Sequence, residues 1–337
     1  MRSDPVAFAE IPHKLRRRDF IAIAGALAWL GPAAAQTVPI VGYLGPENPD
    51  RFNSRLKAFR EGLAEAGYAE GRNVTIDFQW ADGEYSRLPA LAKDLAKRSL
   101  NVIVAPGGAE VALAAKSATS TIPVVFEMGG DPIALGVVDS LSRPGGNLTG
   151  VSSLSVEVSR KRLELMHELR PDSKLFAFAL NPTSPTWNSQ LKNLQIAATS
   201  LGLELKVLKA SHEHEFEALF IDTREMQAGG LVFASDPYFA FRSPQLATLA
   251  VRHAVAAIMQ SRDFPIGGGL MSYGGDFTQS HRHAGVYAGR VLKGEKPSEL
   301  PVQRVTKVEL FVNLKAAHAL GISVPPWILS SADAVIE

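Results

Sequence analysis

From Pro39 onward the chain repeats one pattern, in which a short apolar run ends in Gly, Pro, Asn or Asp and an amphipathic stretch follows. The first repeat has an apolar run at 40–44 and an amphipathic stretch at 54–66, and Gly67 then stands where a helix C-terminus favours glycine. Val- and Ile-rich strands that alternate with helices form parallel sheets covered on both faces. The pattern therefore predicts a doubly wound α/β fold.

The repeats fall into two series of the same kind and order, so we expect two similar lobes. The first series ends near Gly150; its predicted strands are 40–44, 74–78, 102–105 and 124–126, and its predicted helices are 54–66, 88–98 and 109–119. In the second series the predicted strands are 175–180, 204–208, 230–234 and 257–259, and the predicted helices are 156–169, 185–200, 213–226 and 243–253.

The last part of the chain complicates a simple division into two halves. A glycine-bounded extended segment is predicted at 270–275 and a helix at 277–292, so we expect the chain to cross between the lobes more than once. Pro325 and Pro326 predict that the preceding helix stops and that an extended exit begins.

The first 35 residues have the pattern of a secretory signal peptide. Three arginines at 16–18 precede an apolar run at 21–30, and a small-residue cleavage site ends at Ala35. The paired arginines followed by Phe20 and Ile21 suggest the twin-arginine variant. The apolar run is shorter than the roughly 20 residues that span a bilayer. We therefore expect cleavage near Ala35 and a periplasmic protein without a membrane span; the alternative is a retained anchor.

Composition excludes several classes of partner and chemistry. Residues 1–35 contain five of the 35 Lys and Arg and three of the 34 Asp and Glu, so the mature chain has a net charge of −1. This balance provides no excess of positive charge for binding nucleic acid or an anionic membrane. The chain has no cysteine, which excludes disulfides, thiolate metal sites and cysteine nucleophiles.

Motifs spread over the mature chain resemble those of the tryptophan-type ABC transporter substrate-binding proteins. They are GxLGP at 42–46, FREGL at 59–63, GYxEGRNV at 67–74, DP at 131–132, RPGGNLTG at 143–150, GGLMSYG at 268–274, LKGxKP at 292–297 and LPV at 300–302.

This resemblance implies a type I periplasmic binding protein fold, in which two doubly wound lobes joined by crossover segments close on a small ligand. The second lobe is inserted in the first in that fold. The implied first lobe is 38–152 with 275–322, and the implied second lobe is 153–274 with 323–337.

Ligands of open α/β sheets lie beyond the carboxyl ends of the strands, so the loops that follow the strands supply the candidate ligand-binding residues. In the first lobe these are Gly45, Asn48, Gly107, Gly108, Ala109, Met128, Gly129 and Asp131. Gly107 and Gly108 open the predicted helix at Ala109, where backbone N–H groups and the helix dipole favour an anion such as a ligand carboxylate. The alternative is a plain glycine-rich turn.

The other polar and aromatic candidates each have a functional and a structural interpretation. Asp131 and Asp236 each precede a proline, so each carboxylate either binds a ligand ammonium or caps a helix. Asn181 either bonds a zwitterion or starts a turn. Trp187 and Tyr273 either line the pocket or belong to the core.

Other motifs do not predict a reaction. His212 and His214, like His281 and His283, are two residues apart, which on a helix directs the side chains about 200° apart, so we predict solvated helix faces and no metal. The sequence has no H-E-x-x-H, P-loop or G-x-S-x-G motif. We therefore expect no cofactor and no enzymatic activity.

We predict a monomeric solute-binding component of an ABC importer. It captures a small ligand between its lobes and delivers it to a permease in the inner membrane. A pocket with aromatic rings and groups for a carboxylate and an ammonium suits an aromatic or branched amino acid or a related carboxylate. Two alternatives are an exported α/β enzyme, with Glu127 and Asp131 as its acid–base candidates, and a ligand sensor for a receptor.

Overall fold

The computed structural model describes residues 38–153 and 155–337. The predicted signal peptide lies outside the described residues. The strands are β1 (Ile40–Gly45), β2 (Thr75–Trp80), β3 (Val102–Pro106), β4 (Val124–Met128), β5 (Leu148–Ser153), β6 (Leu175–Leu180), β7 (Glu204–Lys209), β8 (Leu231–Phe233), β9 (Ala257–Met259), β10 (Met271–Gly275), β11 (Gln303–Val305), β12 (Val308–Asn313) and β13 (Ala334–Ile336).

The α-helices alternate with these strands along most of the chain. They are α1 (Pro49–Glu65), α2 (Leu88–Ala96), α3 (Ala109–Ala118), α4 (Ser159–Leu169), α5 (Trp187–Leu201), α6 (Phe216–Glu225), α7 (Pro237–Ala240), α8 (Ser243–Arg252), α9 (Asp263–Ile266), α10 (Phe277–Leu292), α11 (Leu314–Ala319) and α12 (Pro326–Ser331). Within the described residues, no helix combines the length and apolar character needed to cross a membrane.

The first sheet has the strand order β11-β5-β4-β3-β1-β2, and all of its pairs are parallel. Its central strands β3 and β4 are buried along their whole length, as near-continuous apolar runs require when helices cover both faces. Helices α1 and α10 pack on one face and α2 and α3 on the other. This sheet and its four helices form the first lobe.

The second sheet has the order β13-β12-β10-β9-β8-β6-β7. Its pairs are parallel except for β12, which runs antiparallel to β10. Helices α4, α5, α11 and α12 pack on one face, and α6 to α9 pack on the other. This sheet and its helices form the second lobe, and the two-lobed doubly wound α/β fold is confirmed.

The chain crosses between the sheets after β5, after β10 and between β11 and β12. Helix α10 (Phe277–Leu292) and strand β11 (Gln303–Val305) belong to the first lobe. The prediction that all of 275–322 does so differs from the structure, because β12 (Val308–Asn313) pairs with β10 of the second sheet. Only Thr306 and Lys307 separate β11 from β12, so the third crossing leaves little sequence signal.

The ends of two elements differ from the sequence expectation. Helix α1 begins at Pro49, ahead of the predicted start, because the Asn48 side chain accepts a hydrogen bond from Arg51 N at 3.0 Å and Pro49 fits the first helical turn. The prediction that the chain is extended after Pro325 is wrong. Pro326 occupies the first turn of helix α12, and strand β13, which follows the helix, pairs with β12.

Candidate functional site

A cavity of about 470 Å³, counting its mouth, lies between the two lobes at the carboxyl ends of the strands. The first lobe lines it with Arg55, Gly107, Gly108, Ala109, Glu110, Glu127, Gly129, Gly130 and Phe277. The second lobe lines it with Ser184, Thr186, Ser235, Pro237, Ala240 and Gln260.

Arg55 enters the cavity from helix α1 and is 6% exposed. Its guanidinium lies over two rings, 4.2 Å from the centroid of Phe241 and 4.9 Å from that of Phe277. Among the described residues, no carboxylate forms an ion pair with it. Burial lowers the pKa of Arg55. Because a buried guanidinium normally has an anionic partner, Arg55 is the group of this cavity best suited to bind an anion.

Glu127 is the second-last residue of strand β4, lines the cavity and is 2% exposed. Its Oε2 accepts a hydrogen bond from Gly107 N at 3.0 Å, whereas Oε1 is buried without a hydrogen-bond partner among the described residues. Burial raises the pKa of Glu127 to about 7, although Arg55 opposes the shift. A carboxyl in this environment changes its protonation state near neutral pH.

His281 lies behind Glu127, with its Nε2 3.8 Å from Oε2 of Glu127. Burial lowers the pKa of His281 to about 3, so the ring is neutral. Its Nδ1 is 2.8 Å from the carbonyl oxygen of Phe277 and donates to it, which leaves Nε2 without a proton. The predicted solvated face is therefore wrong for His281, because this side of α10 packs on α1, with the ring 5.4 Å from that of Phe52.

Glu110 occupies the first turn of α3 and reaches across to the second lobe. Ser184 Oγ donates a hydrogen bond to Glu110 Oε1 at 3.1 Å. Burial and the charge of Asp236 raise the pKa of Glu110 to about 7. Asp236 is 1% exposed, accepts from Tyr238 N through Oδ1 at 2.7 Å, and has no hydrogen-bond partner for Oδ2 among the described residues. Burial raises its pKa to about 6.

Arg162 connects the cavity to the crossover segments and is fully buried. Its Nη1 donates to the carbonyl oxygen of Tyr273 at 3.0 Å, and its Nη2 donates to Ser235 Oγ at 2.6 Å. Both Nη atoms also lie 3.4 Å from the carbonyl oxygen of Ser155. Burial lowers the pKa of Arg162 to about 9. The Arg162 guanidinium thus connects Ser155, which follows β5, and Tyr273 of β10 with the cavity-lining Ser235.

Four of the candidate residues line the cavity, namely Gly107, Gly108, Ala109 and Gly129. Gly107 and Gly108 both have positive φ, and a Cβ on Gly107 would lie 2.8 Å from Pro46. The N–H groups of both glycines donate to the carbonyl oxygen of Glu127 at 3.1 Å. The expected carboxylate site in this loop is therefore occupied in part by Glu127 itself.

The remaining first-lobe candidates lie away from the lining. Gly45 packs on Trp80, where a Cβ would come within 2.0 Å of the ring. Asn48 caps α1, and Met128 is wholly buried in the first-lobe core. Asp131 is exposed and accepts from Ile133 N at 2.9 Å, so it caps a turn and is not paired with Glu127.

The second-lobe candidates also lie outside the lining. Asp236 stands behind Ser235 and Pro237 and caps the short helix α7. Asn181 accepts from Thr183 N at 3.0 Å and faces an outer groove that shares Glu110 with the cavity. Trp187 and Tyr273 pack against the second-lobe core, in agreement with their structural interpretation.

The sequence analysis did not propose several of the residues that line the cavity, above all Arg55, Glu110, Ser235, Gln260 and Phe277. Arg55 has a sequence signal, because it lies on the apolar side of α1, three residues after Phe52 and one before Leu56. Ser235 and Gln260 have none, since tertiary folding alone brings the ends of β8 and β9 to the cavity. Within the described residues no group of three or more acidic or histidine side chains could hold a metal ion.

Comparison with known proteins bears on this arrangement. A family model described as ABC transporter substrate binding protein matches residues 47–336. A protein of Clostridioides difficile (strain R20291), named tyrosine-binding protein, is 27% identical over 277 residues, which cover 82% of this chain and 79% of that protein.

Solved structures agree with the two-lobed architecture. A conserved domain protein of Vibrio cholerae superposes with a TM-score of 0.82 at 25% identity, covering 89% of this chain and 100% of the other. An ABC domain from Streptococcus pneumonia, solved in complex with L-Trp, superposes with a TM-score of 0.80 at 25% identity and the same coverage.

Proposed function

Because this chain belongs to the ABC transporter substrate-binding protein family, we propose that it is the periplasmic solute-binding component of an importer. It captures a small carboxylate, an aromatic amino acid in the first place, and delivers it to a permease in the inner membrane. The observation that carries this proposal is Arg55, a buried cation without an ion-pair partner among the described residues, in a cavity lined by both lobes. The tyrosine-binding relative and the L-Trp complex support a ligand with an aromatic side chain.

Ligand capture proceeds by closure of the lobes. Arg55 of the first lobe binds the ligand carboxylate, and Ser184, Thr186 and Ser235 of the second lobe supply polar contacts from the opposite wall. A ligand that contacts both walls binds the closed form more strongly than the open one, and this difference in affinity drives closure. The permease then receives the closed form.

The rings around Arg55 favour an aromatic ligand. Phe241 and Phe277 cover the guanidinium, and Phe277 itself lines the cavity. Aromatic side chains bury a large apolar area and pack well against such rings. We place the aromatic group of the ligand on this side of the cavity.

Export precedes this role. The signal peptide at 1–35 directs the chain to the periplasm and is removed near Ala35, and the arginine pair routes it through the folded-protein pathway. Replacing Arg17 and Arg18 by Lys should abolish export by that pathway, which fractionation of the producing cells would show. Normal export of the double variant would contradict the twin-arginine assignment.

Thermal unfolding of the mature chain from Gln36 onward, measured against L-Trp, L-Tyr, L-Phe, L-Leu and small carboxylates, tests the function. A ligand at 100 times its dissociation constant adds about 2.7 kcal/mol to the free energy of unfolding. We expect a raised midpoint with an aromatic amino acid and intact recovery of that ligand. Arg55→Met should remove the shift, whereas Lys57→Met, on the exposed side of the same helix, should keep it. An equal shift with Arg55→Met would overturn the proposal.

A further inference from the structure

We propose that Glu110, with Asp236 behind it, is the amine-recognising group of the cavity, so that the protein selects α-amino acids against carboxylates of the same shape that lack the amine. The inference rests on the proposed function, because it names the second charged group of the ligand that Arg55 binds. It begins from the two carboxyl side chains that line the cavity together with Arg55, namely Glu110 and Glu127.

Of the two lining carboxyls, Glu110 is the one open to a ligand. Glu127 has its Oε2 bonded to Gly107 N and directed toward His281, and its Oε1 is sealed from solvent. Glu110 has Oε1 bonded to Ser184, whereas no described side chain forms a hydrogen bond with its Oε2. Glu110 also lines both the cavity and the outer groove, so an incoming ligand passes beside it.

Asp236 gives Glu110 a second carboxylate from the opposite lobe. Glu110 Oε2 and Cγ of Pro237 each lie 2.8 Å from where a Cβ on Gly108 would stand, so the residue after Asp236 packs beside Glu110. The charge of Asp236 raises the pKa of Glu110, and two buried carboxyls that interact in this way do not ionise together without a cation. A ligand ammonium beside Glu110 supplies that cation. Because the two carboxyls come from different lobes, the same ammonium also stabilises closure.

Binding of an ammonium should therefore release a proton. In the empty cavity the pair retains a shared proton near neutral pH, in agreement with the raised pKa values of Glu110 and Asp236. The ammonium favours both ionised forms, and the proton passes to the buffer. The charged and titratable groups that face the pair are Arg242, Glu47 and Tyr85 on the groove side and Arg55 and Glu127 on the cavity side.

Isothermal titration calorimetry with two matched pairs of probes tests the assignment. The first pair is L-Trp and indole-3-propionate, and the second is L-Tyr and 3-(4-hydroxyphenyl)propionate, which differ only in the amine. We expect the amine to strengthen binding roughly 10- to 100-fold, as a charge-assisted hydrogen bond does. Titrations at pH 6.5 in buffers of different ionisation enthalpy should show that each amino acid releases roughly one proton more than the matching propionate, because any change at Glu127 is common to both members of a pair.

Glu110→Gln should reduce the difference in affinity within each pair to less than about threefold and remove the excess proton release of the amino acids. Asp131→Asn, which alters an exposed turn carboxylate, is the matched control and should leave both unchanged. If Glu110→Gln does not fold, the affinities and the proton release measured with the unaltered chain test the inference on their own.

Equal affinity within both pairs, or an undiminished difference in Glu110→Gln, would overturn the inference. The propionates would then still bind through Arg55, so the proposed function would survive. If none of the probes binds, both the proposal of an aromatic ligand and this inference are wrong.

Discussion

Arg242 of the second lobe donates a hydrogen bond from Nη1 to Oε1 of Glu47 in the first lobe at 2.7 Å, and the two side chains are 4% and 0% exposed. Arg242 Nε also donates to Glu213 at 2.7 Å, and Arg51 lies 3.5 Å from Glu47. Burial raises the pKa of Glu47 despite these cations. Ion pairs of the protein itself thus join the two lobes.

Arg242→Met should shift the ligand-free protein toward an open form. The variant leaves Glu47 buried and without its closest cation, a situation that costs about 3–5 kcal/mol if the lobes stay together. Opening of the cleft rehydrates the carboxylate and avoids that cost. Small-angle scattering should show a larger radius of gyration, and ligand affinity should fall. Arg252→Met, which removes an exposed pairing with Glu217, is the control and should scatter like the unaltered chain.

Arg162→Met should lower the free energy of unfolding by about 3 kcal/mol or more. The substitution removes the guanidinium donors to the buried carbonyl oxygen of Tyr273 and to Ser235 Oγ, at about 1–3 kcal/mol for each, whereas the carbonyl oxygen of Ser155 keeps its hydrogen bond from Ser235 Oγ. Urea unfolding measures the change, and Lys161→Met, at a half-exposed neighbouring position, is the control. A loss below about 1 kcal/mol would mean that Arg162 does not hold the crossovers together.

Glu127→Gln should stabilise the ligand-free protein at pH 8 relative to pH 5. The folded-state pKa of Glu127 is about 7, above its ordinary value of 4.5, so the folded state loses stability as the pH rises from about 4.5 through 7. The glutamine cannot ionise and still accepts from Gly107 N. The difference from the unaltered chain should grow by on the order of 2 kcal/mol between the two pH values.

Unfolding midpoints at both pH values would measure this effect. His281, whose folded-state pKa is about 3, destabilises the fold as the pH falls below about 6.5 in both proteins, so its contribution cancels in the comparison. Asp131→Asn serves as the exposed control. If the difference in unfolding midpoint between Glu127→Gln and the unaltered chain does not change with pH, the pKa of Glu127 is not raised in the cavity.

Most regular elements could be predicted because each apolar run has clear ends in the sequence. Strands 175–180 and 257–259 and helix 277–292 have the predicted bounds. Strand β5 (Leu148–Ser153) was missed as a strand, since it is half Ser and Thr yet wholly buried. Its burial depends on distant partners, such as the carbonyl oxygen of Leu300, which accepts from Thr149 Oγ1 at 2.7 Å.

The candidate site was less predictable than the fold, for a physical reason. The rule that ligands lie at strand ends located Gly107, Gly108, Ala109 and Gly129. It does not locate Arg55, which comes from a helix. A charged residue on the apolar side of α1 was the available signal, because burial of a cation has to be compensated by something outside the helix.

Gly62→Ala, in the FREGL motif, should destabilise the fold although alanine is the better helix former by about 1 kcal/mol. A Cβ at Gly62 would lie 1.9 Å from the carbonyl oxygen of Arg282, and one at Gly285 would lie 2.1 Å from that of Phe59, so the backbones of α1 and α10 are in contact. Separating the helices should cost about 1–3 kcal/mol in urea unfolding. Glu61→Ala, one residue away and exposed, should stay within about 0.5 kcal/mol.

The same variant should weaken ligand binding, because the contact fixes two parts of the cavity. Helix α1 carries Arg55 and helix α10 carries Phe277, and these two side chains lie 4.9 Å apart from guanidinium to ring centroid. Moving α10 outward separates them, so Gly62→Ala should lower affinity as well as stability. A Gly62→Ala protein as stable as the unaltered chain and with full affinity would show that the helices can separate without cost, and that the position of Arg55 does not depend on α10.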